Sequence, residues 1–180
     1  MRTDGNGRVV VTGGTFRACE AGGSGGAFAA FGGALNVSGT AFEGNLAGLS
    51  GGAVALEATS SGLFSGTTMT LNAAKDAGGA VAVLGGGSVT DTGVNPRVDF
   101  SAARMTANWA ARGGAVAEVC DPGSLRPAEL APPPPPAGQA DQTANFDAPC
   151  PSVHFADETI LGDNEAGGLL RTSTRPATRA

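Results

Sequence analysis

The sequence predicts an all-β fold: a single-stranded right-handed parallel β-helix of about five coils carrying two loop insertions. Two linked motifs and an unusual composition predict it. The first motif is a glycine pair followed by an apolar strand. It occurs at Gly25-Gly26-Ala27-Phe28, Gly51-Gly52-Ala53-Val54, Gly78-Gly79-Ala80-Val81 and Gly113-Gly114-Ala115-Val116, with a degenerate copy at Gly167-Gly168-Leu169-Leu170. The second motif precedes each pair and reads apolar residue, two free positions, Asn: Phe42 to Asn45, Met69 to Asn72 and Met105 to Asn108. Cys19 takes the Asn place after Phe16, and Leu161 to Asn164 is a looser copy. Two motifs recurring in one order mark a repeat architecture.

The Asn positions are spaced 26, 27, 36 and 56 residues apart. The first two intervals set the period, and the longer two require insertions. Residues 85–96, rich in Gly, Asp and Asn, and residues 121–149, with the run Pro132 to Pro136, supply them. Proline cannot donate to a sheet ladder and favours extended, solvated backbone, so these segments read as loops leaving the stack. The solenoid is then expected over 9–170, with a polar start at 1–8 and a disordered basic tail at 171–180.

Each unit is expected to hold two short strands. The segment after the glycine pair, as in Ala53-Val54-Ala55-Leu56, has no polar face for a surface helix. The other, seen in Leu35 to Phe42, Leu63 to Met69 and Val98 to Met105, is rich in residues that suit a pleated surface. So much glycine would weaken helical repeats. Stacked coils place equivalent residues about 4.8 Å apart, so five coils make a rod of roughly 24 Å. Glycine pairs permit the sharp turn into the strand. The Asn residues are expected to take a left-handed turn and to bond one another between coils. Cys19, Asn45, Asn72 and Asn108 form this ladder, with Cys19 as a small apolar plug. Phe28, Val54, Val81 and Val116 are expected to face inward, although Glu118 then shares that face. Arg17 and Glu43, each two residues before its ladder position, should be stacked neighbours.

Composition fits such a stack. The 180 residues include 30 Gly, no Tyr, one Trp and one His, and only 15% are charged. Small residues packed closely and regularly replace the bulky side chains of an ordinary core. The net charge is −5, and no basic patch is interleaved with aromatic residues, which argues against nucleic-acid binding. The apolar stretches are short and broken by glycine, so no transmembrane segment is expected. The N-terminus carries no signal-peptide pattern. The chain is read as part of a longer one, with further coils before Val9.

No residue set calls for chemistry. The adjacent acids Asp157-Glu158 would point to opposite faces of a strand. Asp163 and Glu165 sit beside the final turn, and His154 precedes Phe155 on an apolar strand. Gly22-Gly23-Ser24-Gly25-Gly26 lacks the Lys and Ser/Thr ending of a phosphate loop. The cysteines lack metal-site spacing, and no metal or cofactor is expected. Cys120 and Cys150 flank the proline-rich excursion, where they either form a disulfide in an oxidising compartment or stand as two free thiols. Asn36-Val37-Ser38 is an N-glycosylation triplet, a pattern that also arises by chance.

The Phe-x-x-Asn and Gly-Gly-Ala-apolar pairs, with Met in the Phe place at Met69 and Met105, resemble the repeats of chlamydial polymorphic outer-membrane proteins. The resemblance runs from Phe16 to Ala117, with a weak copy at 161–170. It implies a passenger-like β-helix of the pectin-lyase-like type, used in adhesion or surface display. The expected function is a non-enzymatic spacer or scaffold of a surface or secreted protein, with glycans or surface proteins as partners. The alternative is a fragment of a pectate-lyase-like enzyme, which acids and bases converging on one outer groove would favour. A cytoplasmic repeat protein is the third reading.

Overall fold

The structure, a computed structural model, describes residues 1–5, 7–58, 60–85, 96–119, 152–156 and 159–166. It is a right-handed parallel β-helix of five coils, each with four strands rather than two. The first coil holds β1 (Arg2–Asp4), β2 (Arg8–Thr12), β3 (Thr15–Arg17) and β4 (Glu20–Ala21). The second holds β5 (Phe28–Phe31), β6 (Ala34–Ser38), β7 (Ala41–Glu43) and β8 (Leu46–Ala47). The third holds β9 (Val54–Glu57), β10 (Ser61–Ser65), β11 (Thr68–Thr70) and β12 (Ala73–Ala74). The fourth holds β13 (Val81–Leu84), β14 (Arg97–Ser101), β15 (Arg104–Thr106) and β16 (Trp109–Ala110). The fifth holds β17 (Val116–Val119), β18 (Ser152–Phe155), β19 (Ile160–Gly162) and β20 (Glu165–Ala166). Corresponding strands stack into four parallel sheets of five strands, here called the first to fourth sheets in the order the chain visits them.

The segment expected as one strand before each Asn is two. A residue with positive φ turns the corner between them: Gly13, Gly39, Gly66 and Ala102. Three of the four are glycine, the residue for which this conformation carries no steric cost. The solenoid also begins earlier than the expected Val9. Arg2–Asp4 is already a strand of the first sheet, pairing in parallel with Ala29, Ala30 and Phe31. Ladder hydrogen bonds come from the backbone and need no apolar side chain. The inward residue of β1 is only Thr3, beside the small Ala30.

Each glycine of a pair has its own task. Gly25, Gly51, Gly78 and Gly113 lie at φ between +59° and +73°. A methyl group on Gly26, Gly52 or Gly79 would collide with the carbonyl oxygen of Gly52, Gly79 or Gly114 in the next coil. One glycine makes the turn, and the other allows coils to approach.

Parallel stacking in register places like on like. Phe16 stacks on Phe42 with centroids 5.3 Å apart, and Phe42 is followed in its column by Met69, Met105 and Leu161. Phe64, Phe100 and Phe155 form a second column, with spacings of 5.1 and 5.3 Å. Phe28, Val54 and Val81 are buried in the core, and Val116 packs against it. Bulk is traded between neighbouring columns: a methyl group on Gly62 would strike Leu56, whereas the same two register positions hold Ala30 and Leu35 in the coil below and Val83 and Val98 in the coil above.

The Asn column binds the coils together. Asn72 Oδ1 accepts from the Asn45 backbone N–H at 3.0 Å and from Asn45 Nδ2 at 2.8 Å. Asn108 does the same for Asn72, and Asn164 for Asn108. The second amide hydrogen of each Asn donates to a carbonyl one coil below, Asn72 to Phe42 and Asn108 to Met69. Cys19 donates its backbone N–H to Asn45 Oδ1 at 3.0 Å. The left-handed residue is not the Asn, as expected, but the residue before it: Ala18, Gly44, Leu71, Ala107 and Asp163. Placing the turn there leaves the Asn free to point its amide into the stack.

Asn72→Ala removes the acceptor of two buried donors and the donor to Phe42, so it should cost roughly 3–6 kcal/mol. Cys19→Ala keeps the backbone donor and should cost about 1 kcal/mol or less. Urea unfolding of both variants compares the two; near-equal losses would contradict a ladder of amides.

Candidate functional site

Reading each outer face in register shows what the rod offers to a ligand. On the first sheet, Asp4, Phe31, Glu57, Leu84 and Val119 form one outward column, and Arg2, Ala29, Ala55, Ala82 and Ala117 its neighbour. Of these, Arg2, Ala29, Phe31 and Glu57 line a groove of about 500 Å³ where the first coils meet the corner from the fourth sheet, whereas Ala55, Ala82, Leu84, Ala117 and Val119 are buried. Arg2, Glu20, Phe31, Leu49 and Glu57 supply its side chains, and the Gly23–Gly26 backbone forms its rim.

The Arg2 guanidinium lies 4.1 Å from the Phe31 ring centre and pairs with Asp4 at 3.1 Å. Glu57 is half-buried, and burial raises its carboxyl pKa above the ordinary 4.5, with Arg2 acting in the opposite direction. A half-buried carboxyl beside a cation in a groove is a candidate for proton transfer. Glu20 brings a second carboxyl to the same groove. Sequence reading missed this group because its members lie up to two coils apart. Only the register of the coils gathers them.

A second, smaller depression of about 210 Å³ lies on the fourth sheet, lined by Trp109, Asp163 and Glu165 with Ala107 and Asn108. Asp163 and Glu165, read in sequence as acids beside a turn, thus share a site with the single Trp of the chain. Arg17 and Glu43 are stacked neighbours at 3.2 Å, both substantially exposed, a pair worth about 0–1 kcal/mol. His154 is exposed on β18, in register with Asp99.

Glu118 does share the inward face with Val116. It lies in the fifth coil, where it is exposed, and its Oε1 accepts from the Val153 backbone N–H at 2.8 Å. The expected Cys120–Cys150 pairing, the acids Asp157-Glu158, the glycine copy at 167–170, the insertion at 121–149 and the basic tail lie outside the described residues, as does 86–95 of the other insertion. Among the described residues, no three His, Cys, Asp or Glu side chains gather as a metal site, and no helix is long and apolar enough to cross a membrane. No family model, curated protein or solved structure matches the chain.

The raised pKa of Glu57 has a consequence for stability. The folded protein holds this proton more tightly than the unfolded chain, so stability falls as pH rises from 4.5 through the folded-state pKa. Glu57→Gln should therefore be more stable than the parent at neutral pH, with the gap closing below about pH 4.5. Urea midpoints measured across that range test it; a gap that widens in acid would reverse the sign of the argument.

Proposed function

We propose that the chain is a β-helix segment of a surface or secreted protein, serving as a rigid, non-enzymatic scaffold that presents binding faces to glycans or proteins. The observation that supports it best is the outer face of the second sheet. There Thr12, Ser38, Ser65 and Ser101 fall in one outward column, a strip of short polar side chains repeated once per coil. Such a strip offers hydrogen bonds at a fixed repeat of about 4.8 Å and little concavity to enclose a reaction. The interior is packed with side chains, so the rod presents only its outer faces and its ends. The repeat resemblance to polymorphic outer-membrane proteins points in the same direction.

One observation favours a second reading. The groove of Glu57, Glu20 and Arg2 brings two carboxyls to one surface, and glycoside cleavage uses two carboxyls. A carbohydrate-active β-helix would use Glu57, with its raised pKa, as the acid.

A single experiment separates the two. The purified chain is immobilised over a panel of polysaccharides and glycoproteins, and both retention and newly formed sugar ends are measured. Saturable retention without new ends is expected. New reducing or unsaturated ends, abolished by Glu57→Gln, would replace the scaffold with the enzyme.

A further inference from the structure

We propose that the outer face of the fourth sheet, centred on Trp109 and Leu71, is a docking surface for a basic, leucine-rich segment of a partner protein. This rests on the scaffold reading and gives one of its faces a partner. The outward column of this sheet runs Glu20, Leu46, Ala73, Trp109, Glu165 from the first coil to the fifth. Leu46 is 42% exposed and Trp109 43%. Leu71, 64% exposed, lies at the corner of the third coil, two residues before Ala73 and at a height between them. Three large apolar side chains thus face solvent on adjacent coils, although the same fold buries Phe42, Met69 and Met105 completely. Contiguous apolar groups of this kind mark interaction surfaces on soluble proteins, and Trp is the residue most often found at their energetic centre.

Leu71 carries the argument further. It holds φ at +58°, a left-handed conformation that is a steric burden for a branched, bulky residue. The equivalent corner positions are filled by Ala18, Gly44, Ala107 and Asp163, so the corner itself requires no leucine. The side chain makes a poor turn residue and is left in water. Neither local geometry nor core packing accounts for it, whereas contact with a partner does.

Charge gives the partner its character. Asp163 and Glu165 line the depression beside Trp109, and Glu20 lies at the opposite end of the column. The ion pairs found among the described residues, Arg2–Asp4, Arg17–Glu43, Arg97–Asp99 and Arg112–Asp76, involve none of these three acids. Lys75, exposed at the corner after Ala74, is the basic residue of the third coil on this side. An apolar strip bounded at both ends by carboxylates complements a segment carrying leucines flanked by lysine or arginine. Trp109 alone could stack on a sugar, whereas Leu46 and Leu71 extend the strip as ring-free apolar surface, which favours a protein partner over a glycan on this face.

The single Trp makes the test direct. Synthetic peptides of alternating lysine and leucine, or of glutamate and leucine, are titrated against the intact chain. Trp109 emission is followed, and anisotropy of labelled peptide is measured in parallel. The lysine–leucine peptide should shift the emission saturably, with binding that weakens as salt rises, and the glutamate–leucine peptide should not. Leu71→Asn, which suits a left-handed corner, should keep or raise stability in urea yet weaken binding about tenfold, as removal of a central contact does. Glu165→Gln should weaken binding less and flatten its salt dependence. Equal binding of both peptides, or unchanged affinity in Leu71→Asn and Glu165→Gln, would overturn this surface. Retention of other ligands by those same variants would still leave the scaffold reading in place.

Discussion

The amide column at the corner before the fourth sheet is the constraint that the rest of the rod obeys. The side chains of Asn72 and Asn108 reach both ways along the axis. The oxygen of each receives two bonds from the coil below, and its nitrogen donates to that coil's carbonyl and to the amide above. In a buried corner, backbone groups that have left the sheet ladder need such partners, because an unmade bond there costs more than a made one returns. The column therefore fixes height and rotation together. A coil displaced by one residue would lose the whole set.

The bonds also have a direction, which explains why Cys19 is tolerated. A coil gives its N–H to the amide of the coil above it. In the first coil Cys19 gives its N–H to Asn45, and no described coil below calls on its side chain as an acceptor. Its side chain instead packs against the core, with its S–H donating to the Arg17 carbonyl at 3.8 Å. The same register that stacks amide on amide stacks ring on ring inside the rod, and serine on serine outside it. Interior and exterior columns thus share one cause.

What could be read in the sequence, and what could not, follows from this geometry. The Asn ladder, the glycine pairs and the Arg17–Glu43 contact were legible because a period near 26 residues writes vertical neighbours directly into the chain. Lateral structure was not. The corner at Gly39 and Gly66 splits an apparently continuous strand, and its signal, one glycine in a Gly-rich chain, is indistinct. The left-handed residue before each Asn was hidden because four of the five are not glycine: Ala18, Leu71, Ala107 and Asp163. The Arg2–Glu20–Glu57 groove required knowing that β1 belongs to the first sheet, and no apolar pattern in Arg2–Asp4 announces that.

Position in the stack also governs what a column can contain. One inward column of the first sheet runs Ala30, Leu56, Val83 and then Glu118. The first three are buried and apolar, and a carboxylate in their midst would lose its hydration with nothing to replace it. In the fifth coil, the last among the described residues, Phe155 and Leu161 are about half exposed although Phe100 and Met105 beneath them are fully buried. There Glu118 reaches across and accepts the backbone N–H of Val153, satisfying an upward-facing donor of the second sheet. Inward-pointing charge on an end strand is a known way of opposing indiscriminate edge pairing. The fifth coil thus tolerates at an inward position a carboxylate that the buried coils beneath it exclude.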